Sequence, residues 1–290
     1  MRATHIIRTA GGAAVHALLA EADHPEDGPL LVAVHGGGYT GEYFALGEHS
    51  LTRCASFAGL PVLAIDRPNY GVSEAMSLPF GEAIAHSARV VEDFVNDALK
   101  ELDRPRPVML IGHSIGAMIV LQIAATKPAW DLVGISVDGV GIDPRPGHSF
   151  PTSSLSGERV PLPTEVRRAV HYGPASTYSA SVFLEAMAFE HDVPVEEVAE
   201  ALQFHERVAA LAPEVVVPVM YGLAEHDGLM TATEETVARF AALFTSAPRV
   251  DAQLIRGAGH NIDLHYVAKA HNLRRIAFAL ECSVEDRQPA

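Results

Sequence analysis

Six short segments of the sequence are almost wholly apolar on consecutive positions: residues 30–34, 62–65, 108–111, 133–137, 215–221 and 252–255. A strand buried on one face alternates apolar and polar side chains; a strand covered on both faces does not. These segments therefore belong in a parallel sheet with helices on each side. The stretches between them carry helical periodicity. Ile84, Ala88, Val91, Val95 and Leu99 fall at spacings of 4, 3, 4 and 4, one apolar stripe. Phe240, Leu243 and Phe244 repeat the pattern after Asp227. The alternation predicts a doubly wound α/β domain. At 290 residues the chain is long enough to give such a domain a large core.

Two regions depart from the alternation. Segments 4–9 and 13–19 flank Gly11-Gly12, a turn signal. An antiparallel hairpin at the sheet edge is expected, with helix as the other reading of the Ala- and Leu-rich second segment. The second departure lies between Asp138 and Val215. Residues 141–163 are rich in Pro, Gly and Ser and read as loop. Thr164 is placed to cap a short helix to His171, which Gly173-Pro174 ends. Val182, Phe183, Ala186 and Met187 mark a second helix; Pro194 opens a third, with Val195, Val198 and Leu202 on one face. The expected division is a core of residues 1–140 and 214–290 with a helical cap, or lid, over 141–213. The polar end, 284–290, reads as frayed.

The sharpest local feature is Gly112-His113-Ser114-Ile115-Gly116, between the apolar segment 108–111 and a nearly all-apolar helical run, 117–125. By composition alone such a Gly-x-Ser-x-Gly pattern arises about 0.1 times in this chain. A serine between strand and helix sits on a tight turn that lifts its hydroxyl clear of the sheet, and the flanking glycines avoid backbone collisions. The Ile115 N–H, at the helix start, points at any negative charge developing beside the serine. His35-Gly36-Gly37-Gly38-Tyr39 follows segment 30–34. Backbone N–H groups of Gly37 and Gly38 supply the second half of an oxyanion hole facing Ile115.

With both motifs in place the chain resembles the α/β-hydrolase superfamily, of serine esterase and thioesterase type. The resemblance implies a mostly parallel eight-stranded sheet flanked by helices, with a helical cap inserted after the sixth strand. It places the acid at Asp227, within Tyr221-Gly222-Leu223-Ala224-Glu225-His226-Asp227, and the base at His260, within Gly257-Ala258-Gly259-His260-Asn261. The order Ser114, Asp227, His260 is the superfamily's order. Asp66-Arg67-Pro68-Asn69-Tyr70-Gly71-Val72-Ser73 resembles its turn after the fourth strand, with Asn69 where Gly is more usual. Asp138 is the alternative acid and Glu225 a third candidate. His113 reads as structural, His226 as a loop residue, and His265 and His271 as members of the last helix.

Each residue type has a task in this chemistry. A neutral hydroxyl needs a base, histidine titrates near operating pH, and a carboxylate fixes the histidine tautomer. The expected activity is hydrolysis of an ester or thioester through an acyl-enzyme. Tyr178, Phe183, Met187 and Phe189 are the expected lining of an acyl pocket, and Arg67 and Arg145 the available carboxylate clamps. The alternatives are a non-hydrolytic enzyme on the same scaffold (lyase, cyclase or acyl transfer) and a ligand-binding protein with a retained triad.

Charge and spacing exclude other classes. With 21 Lys and Arg against 36 Asp and Glu, the net charge of −15 disfavours nucleic acid or an anionic membrane as partner. No metal-ligand spacing or dinucleotide fingerprint is present, so no metal and no cofactor is expected. A small-molecule ester or thioester is the expected partner. No signal-peptide pattern and no apolar run of about 18 residues occurs, so a cytoplasmic protein is expected.

Overall fold

The computed structural model describes residues 1–101, 105–146 and 157–285. Strands β1 (Arg2–Ala10) and β2 (Ala13–Glu21) form an antiparallel hairpin about Gly11-Gly12. Both glycines are left-handed, at φ 57° and 85°, which the tight two-residue turn requires. Helix is thus excluded for the second segment. The apolar segments follow as β3 (Leu30–Val34), β4 (Val62–Asp66), β5 (Val108–His113) and β6 (Leu132–Asp138). Helices α1 (Leu51–Phe57), α2 (Ala83–Lys100) and α3 (Ile115–Thr126) connect them.

After β6 the chain makes a mostly helical excursion. A two-residue strand, β7 (Arg159–Val160), precedes α4 (Thr164–Arg167), which runs on as a π-helical turn, Arg168–Tyr172. Then come α5 (Ala180–Met187), β8 (Val193–Pro194), which pairs with β7, and α6 (Val195–Leu211). The small β7–β8 pair has no signature in the sequence. Pro163, not Thr164, caps α4; Thr164 is its first residue. Gly173, at φ 66°, ends the π turn as expected. Part of the expected loop, 147–156, and the last five residues of the expected frayed end lie outside the described residues.

The chain returns through β9 (Val219–His226), α7 (Glu234–Ala241), β10 (Val250–Gly259) and α8 (Ala268–Glu285). Among the described residues eight strands make one sheet, in the order β1-β2-β4-β3-β5-β6-β9-β10. β2 runs antiparallel to β1 and β4; the six from β4 to β10 are mutually parallel. β9 starts four residues later than the apolar run at 215–221. It is an inner strand, and Pro218 has no N–H to give its ladder.

The core lies on both faces of the sheet. One cluster joins the sheet to α2, α3 and α6, including Phe94, Leu121 and Phe204. The other joins it to α1 and α8, including Leu51, Ile111 and Phe278. The carboxyl ends of β5, β9 and β10 stop at one edge and present Ser114, Asp227 and His260 in the next positions. That edge is where open α/β sheets bind ligands. Among the described residues no helix is long and apolar enough to cross a membrane.

Candidate active site

Ser114 stands between β5 and α3 with φ 54° and ψ −121°. A non-glycine residue there carries about 1–3 kcal/mol of strain, held by its surroundings. Both flanking glycines are obligatory. A Cβ on Gly116 would stand 2.0 Å from the Val34 carbonyl oxygen, and one on Gly112 would stand 2.6 Å from the Ala117 Cα. The Ser114 N–H donates to the Asp138 carbonyl at 2.8 Å, and its own carbonyl accepts the Ala117 and Met118 N–H groups, starting α3. As the first residue of that helix, Ile115 has an N–H with no intrahelical acceptor.

His260 follows β10 and is buried. Its Nδ1–H donates to Asp227 Oδ2 at 2.7 Å, which leaves Nε2 for another partner. Nε2 is buried and makes no hydrogen bond. The other Asp227 oxygen accepts the Leu229 N–H at 2.8 Å and the Met230 N–H at 3.0 Å. Burial pushes the Asp227 pKa up. The His260 ring and these two N–H groups more than offset it and hold the carboxyl below its ordinary 3.8. The Arg145 guanidinium donates to the Asp227 backbone carbonyl at 3.1 Å.

The excursion after β6 touches both of these loops through backbone. Gly228 N–H donates to the Val170 carbonyl at 3.1 Å, and Asn261 N–H to the His171 carbonyl at 2.9 Å. Gly259 permits that approach, since a Cβ there would meet the Tyr172 carbonyl oxygen at 2.3 Å. Two further histidine rings flank His260: His113 with centroids 4.9 Å away and His171 at 5.4 Å. His113 Nε2–H donates to the His260 carbonyl at 2.9 Å. Burial, then the His260 charge, depresses the His113 pKa to about 4, and His171 lies well below its ordinary value for the same reasons.

Ser114, His260, Gly37 and Ile115 line one cavity of about 210 Å³. Gly38 is not brought there: at φ 80° it turns toward Arg167 and its carbonyl accepts the His191 N–H at 3.0 Å. Asp138 is bonded elsewhere, not to His260. It is fully buried against Arg275 and His271, whose charges outweigh burial and lower its pKa. Glu225 pairs instead with Arg256 at 3.0 Å and accepts the Gly257 N–H.

Several expected positions differ. Tyr178, Phe183, Met187 and Phe189 do not line the cavity; they pack in the core on the α1–α8 side, where the Tyr172 ring meets Phe183 edge-on with centroids 4.8 Å apart and Tyr178 at a tilt with centroids 5.0 Å apart. Aromatic side chains on a short helix found other aromatics before they found the cavity. Arg67 is no clamp: its guanidinium is buried, ion-paired with Glu197 and bonded to the His35 and Gly36 carbonyls. Arg145 is exposed and does not line the cavity. His265 precedes α8 rather than lying on it, whereas His271 is within it. Asn69 takes the left-handed conformation at φ 72°, and its amide closes the turn by bonding the Met76 N–H and carbonyl. His171 and Asn261 line the cavity without having been singled out. The signal for Asn261 was its place next to His260; none marked His171.

Comparison with known proteins agrees with this architecture. The model of the alpha/beta hydrolase family matches residues 31–273. The chain belongs to the alpha/beta hydrolase family. Among curated relatives of this chain, protein phosphatase methylesterase 1 of Rattus norvegicus is 28% identical over 123 residues, 40% of this chain and 30% of that protein. NocK of Nocardia uniformis subsp. tsuyamanensis, an esterase by assignment, is 32% identical over 151 residues, 48% of this chain and 42% of that protein. The matches thus span less than half of either relative. Carboxylesterase CesB (YbfK) from Bacillus subtilis superposes with a TM-score of 0.68 at 15% identity, covering 97% of this chain and 92% of that chain. At that identity the likeness is one of fold.

Proposed function

We propose that the protein is a serine hydrolase of carboxylic esters or thioesters, with Ser114 as nucleophile, His260 as base and Asp227 as the acid that orients it. One observation carries the reading. The His260 ring is tied through Nδ1 to a buried carboxylate, keeps an unpartnered Nε2, and lines the same cavity as a serine held on a strained turn.

The chemistry follows from those positions. Ser114 Oγ attacks the ester or thioester carbonyl carbon while His260 Nε2 takes its proton. Asp227 holds the tautomer and stabilises the imidazolium without itself becoming protonated. The N–H groups of Ile115 and Gly37 receive the oxyanion, a contribution of about 3 kcal/mol for each such donor. His260 then protonates the leaving alkoxide or thiolate, and water repeats the sequence on the acyl-enzyme. The segment 141–213 acts as a lid over this site: its α6 residues and the strand-end residues share the cavity lining.

The test is intact-mass labelling with a fluorophosphonate. The native chain is expected to take one adduct, Ser114→Ala none, and His260→Ala and Asp227→Asn to react about 10²-fold more slowly or worse. Asp138→Asn, if folded, is expected to label like the native chain. Labelling slowed by Asp138→Asn and untouched by Asp227→Asn would overturn the assignment of the acid. No adduct on the folded native chain would overturn the hydrolase reading itself.

A further inference from the structure

The cavity beside Ser114, at about 210 Å³, is somewhat larger than the ~150 Å³ cavity that takes a benzene ring and so has room for roughly seven or eight non-hydrogen atoms. One wall is a single helical stripe on α6: Val198, Ala201, Leu202 and His205, at i, i+3, i+4 and i+7. Met118 and Leu229 extend the apolar lining. Among the described residues none that lines the cavity is Asp, Glu, Lys or Arg. A carboxylate drawn inside would lose its hydration and meet no Lys or Arg, only the rings of His113, His171, His205 and His260.

The α6 wall is also bolted in place. Glu197 is fully buried, ion-paired with Arg67, and accepts the Tyr70 hydroxyl at 2.8 Å. Glu200, almost one turn on, accepts the Ile84 N–H of α2 at 3.0 Å and pairs with Arg207. A wall held by buried charge on its inner side does not swing aside for a longer ligand without leaving that charge unpaired.

We propose that this cavity is an acyl-binding site of fixed size for short, uncharged aliphatic acyl groups, and that the Val198-Ala201-Leu202-His205 stripe sets the chain-length limit. The proposal rests on the Ser114 reading above. Its substrates are esters or thioesters whose acyl part carries neither a carboxylate nor a phosphate and reaches roughly seven non-hydrogen atoms.

The experiment uses neutral ethyl p-nitrophenyl alkylphosphonate diesters with methyl, butyl, hexyl and decyl chains, and a hexyl analogue ending in a carboxylate. In each case Ser114 Oγ bonds to phosphorus, p-nitrophenolate leaves, and the hydroxyl proton passes to His260. Labelling rates are read by intact mass. The decyl and carboxylate reagents are expected to react about tenfold or more slowly than the hexyl reagent. Leu202→Ala is expected to move the limit to longer chains and Ala201→Phe to shorter ones. Rates indifferent to chain length, a carboxylate reagent as fast as the neutral one, or a limit unmoved by folded Leu202→Ala would overturn the proposal and leave the Ser114 reading intact. No adduct with any reagent on the folded native chain would overturn both.

Discussion

Acidification is expected to withdraw stability through His113, on the order of a few kcal/mol. The ring is stacked on Tyr43 with centroids 4.9 Å apart, and its Nε2–H donates to the His260 carbonyl. A second proton must therefore go to Nδ1. That atom is buried and has no hydrogen-bond partner, and Gly36 packs against it so closely that a Cβ there would stand 2.9 Å away. Burial, then the neighbouring His260, lowers the pKa from 6.5 to about 4. Between those values the unfolded chain binds the proton and the folded chain does not. The stability is therefore fully present above pH 6.5 and is lost as pH falls toward 4. A shift of that size is worth on the order of 3 kcal/mol in the limit, most of it gone by pH 4.5. Against a total of about 5–15 kcal/mol that is a large fraction. The assay is urea unfolding followed by Trp130 fluorescence and far-ultraviolet circular dichroism at pH 7.5, 5.5 and 4.5. His113→Gln keeps an N–H for the His260 carbonyl and cannot titrate. It is expected to be less stable than the native chain at pH 7.5, yet to lose roughly 2–3 kcal/mol less between pH 7.5 and 4.5. An equal loss in both proteins would refute the argument, and would move the acid sensitivity to His265, whose pKa burial likewise depresses to about 4.

Two substitutions probe how the excursion after β6 is fastened. Glu197→Ala leaves the Arg67 charge buried and the Tyr70 hydroxyl without its acceptor, and is expected to cost about 3–5 kcal/mol in urea unfolding. Replacing both partners, Arg67→Met with Glu197→Leu, is expected to recover much of that loss; a single-variant cost under about 1 kcal/mol would show that the pair does not hold α6. Gly259→Ala places a Cβ against the Tyr172 carbonyl and pushes the Arg168–Tyr172 turn off the His260 loop. The expected result is a fall in kcat of about tenfold or more with the fold retained, checked by ester turnover beside circular dichroism; unchanged turnover would separate that turn from His260 positioning.

Much of this fold is legible in the sequence because the signals are local. A strand buried on both faces reads as unbroken apolar residues, as at Leu30–Val34 and Val108–His113. The glycines around Ser114 are forced by backbone collisions within a few residues and across to one neighbouring strand, β3. Gly11-Gly12 announces a two-residue turn for the same conformational reason. Even the late start of β9 was written in Pro218, whose missing N–H the apolar pattern alone overlooked.

Long-range choices could be made only in three dimensions. Asp138 and Asp227 both end in or just after a strand at the same sheet edge, and local sequence ranks neither by contact. The fold turns one toward Arg275 and His271 and the other toward His260, because α8 brings a buried guanidinium to β6 while β10 delivers its histidine beside β9. The cavity lining was equally hidden. The aromatic residues of α5 and its flanks join the α1–α8 core, whereas α6 turns Val198, Ala201 and Leu202 to the cavity because Glu197 and Glu200 are drawn to Arg67 and to the start of α2. Periodicity shows that a helix has an apolar face; which surface that face meets depends on charges and packing contributed from elsewhere in the chain.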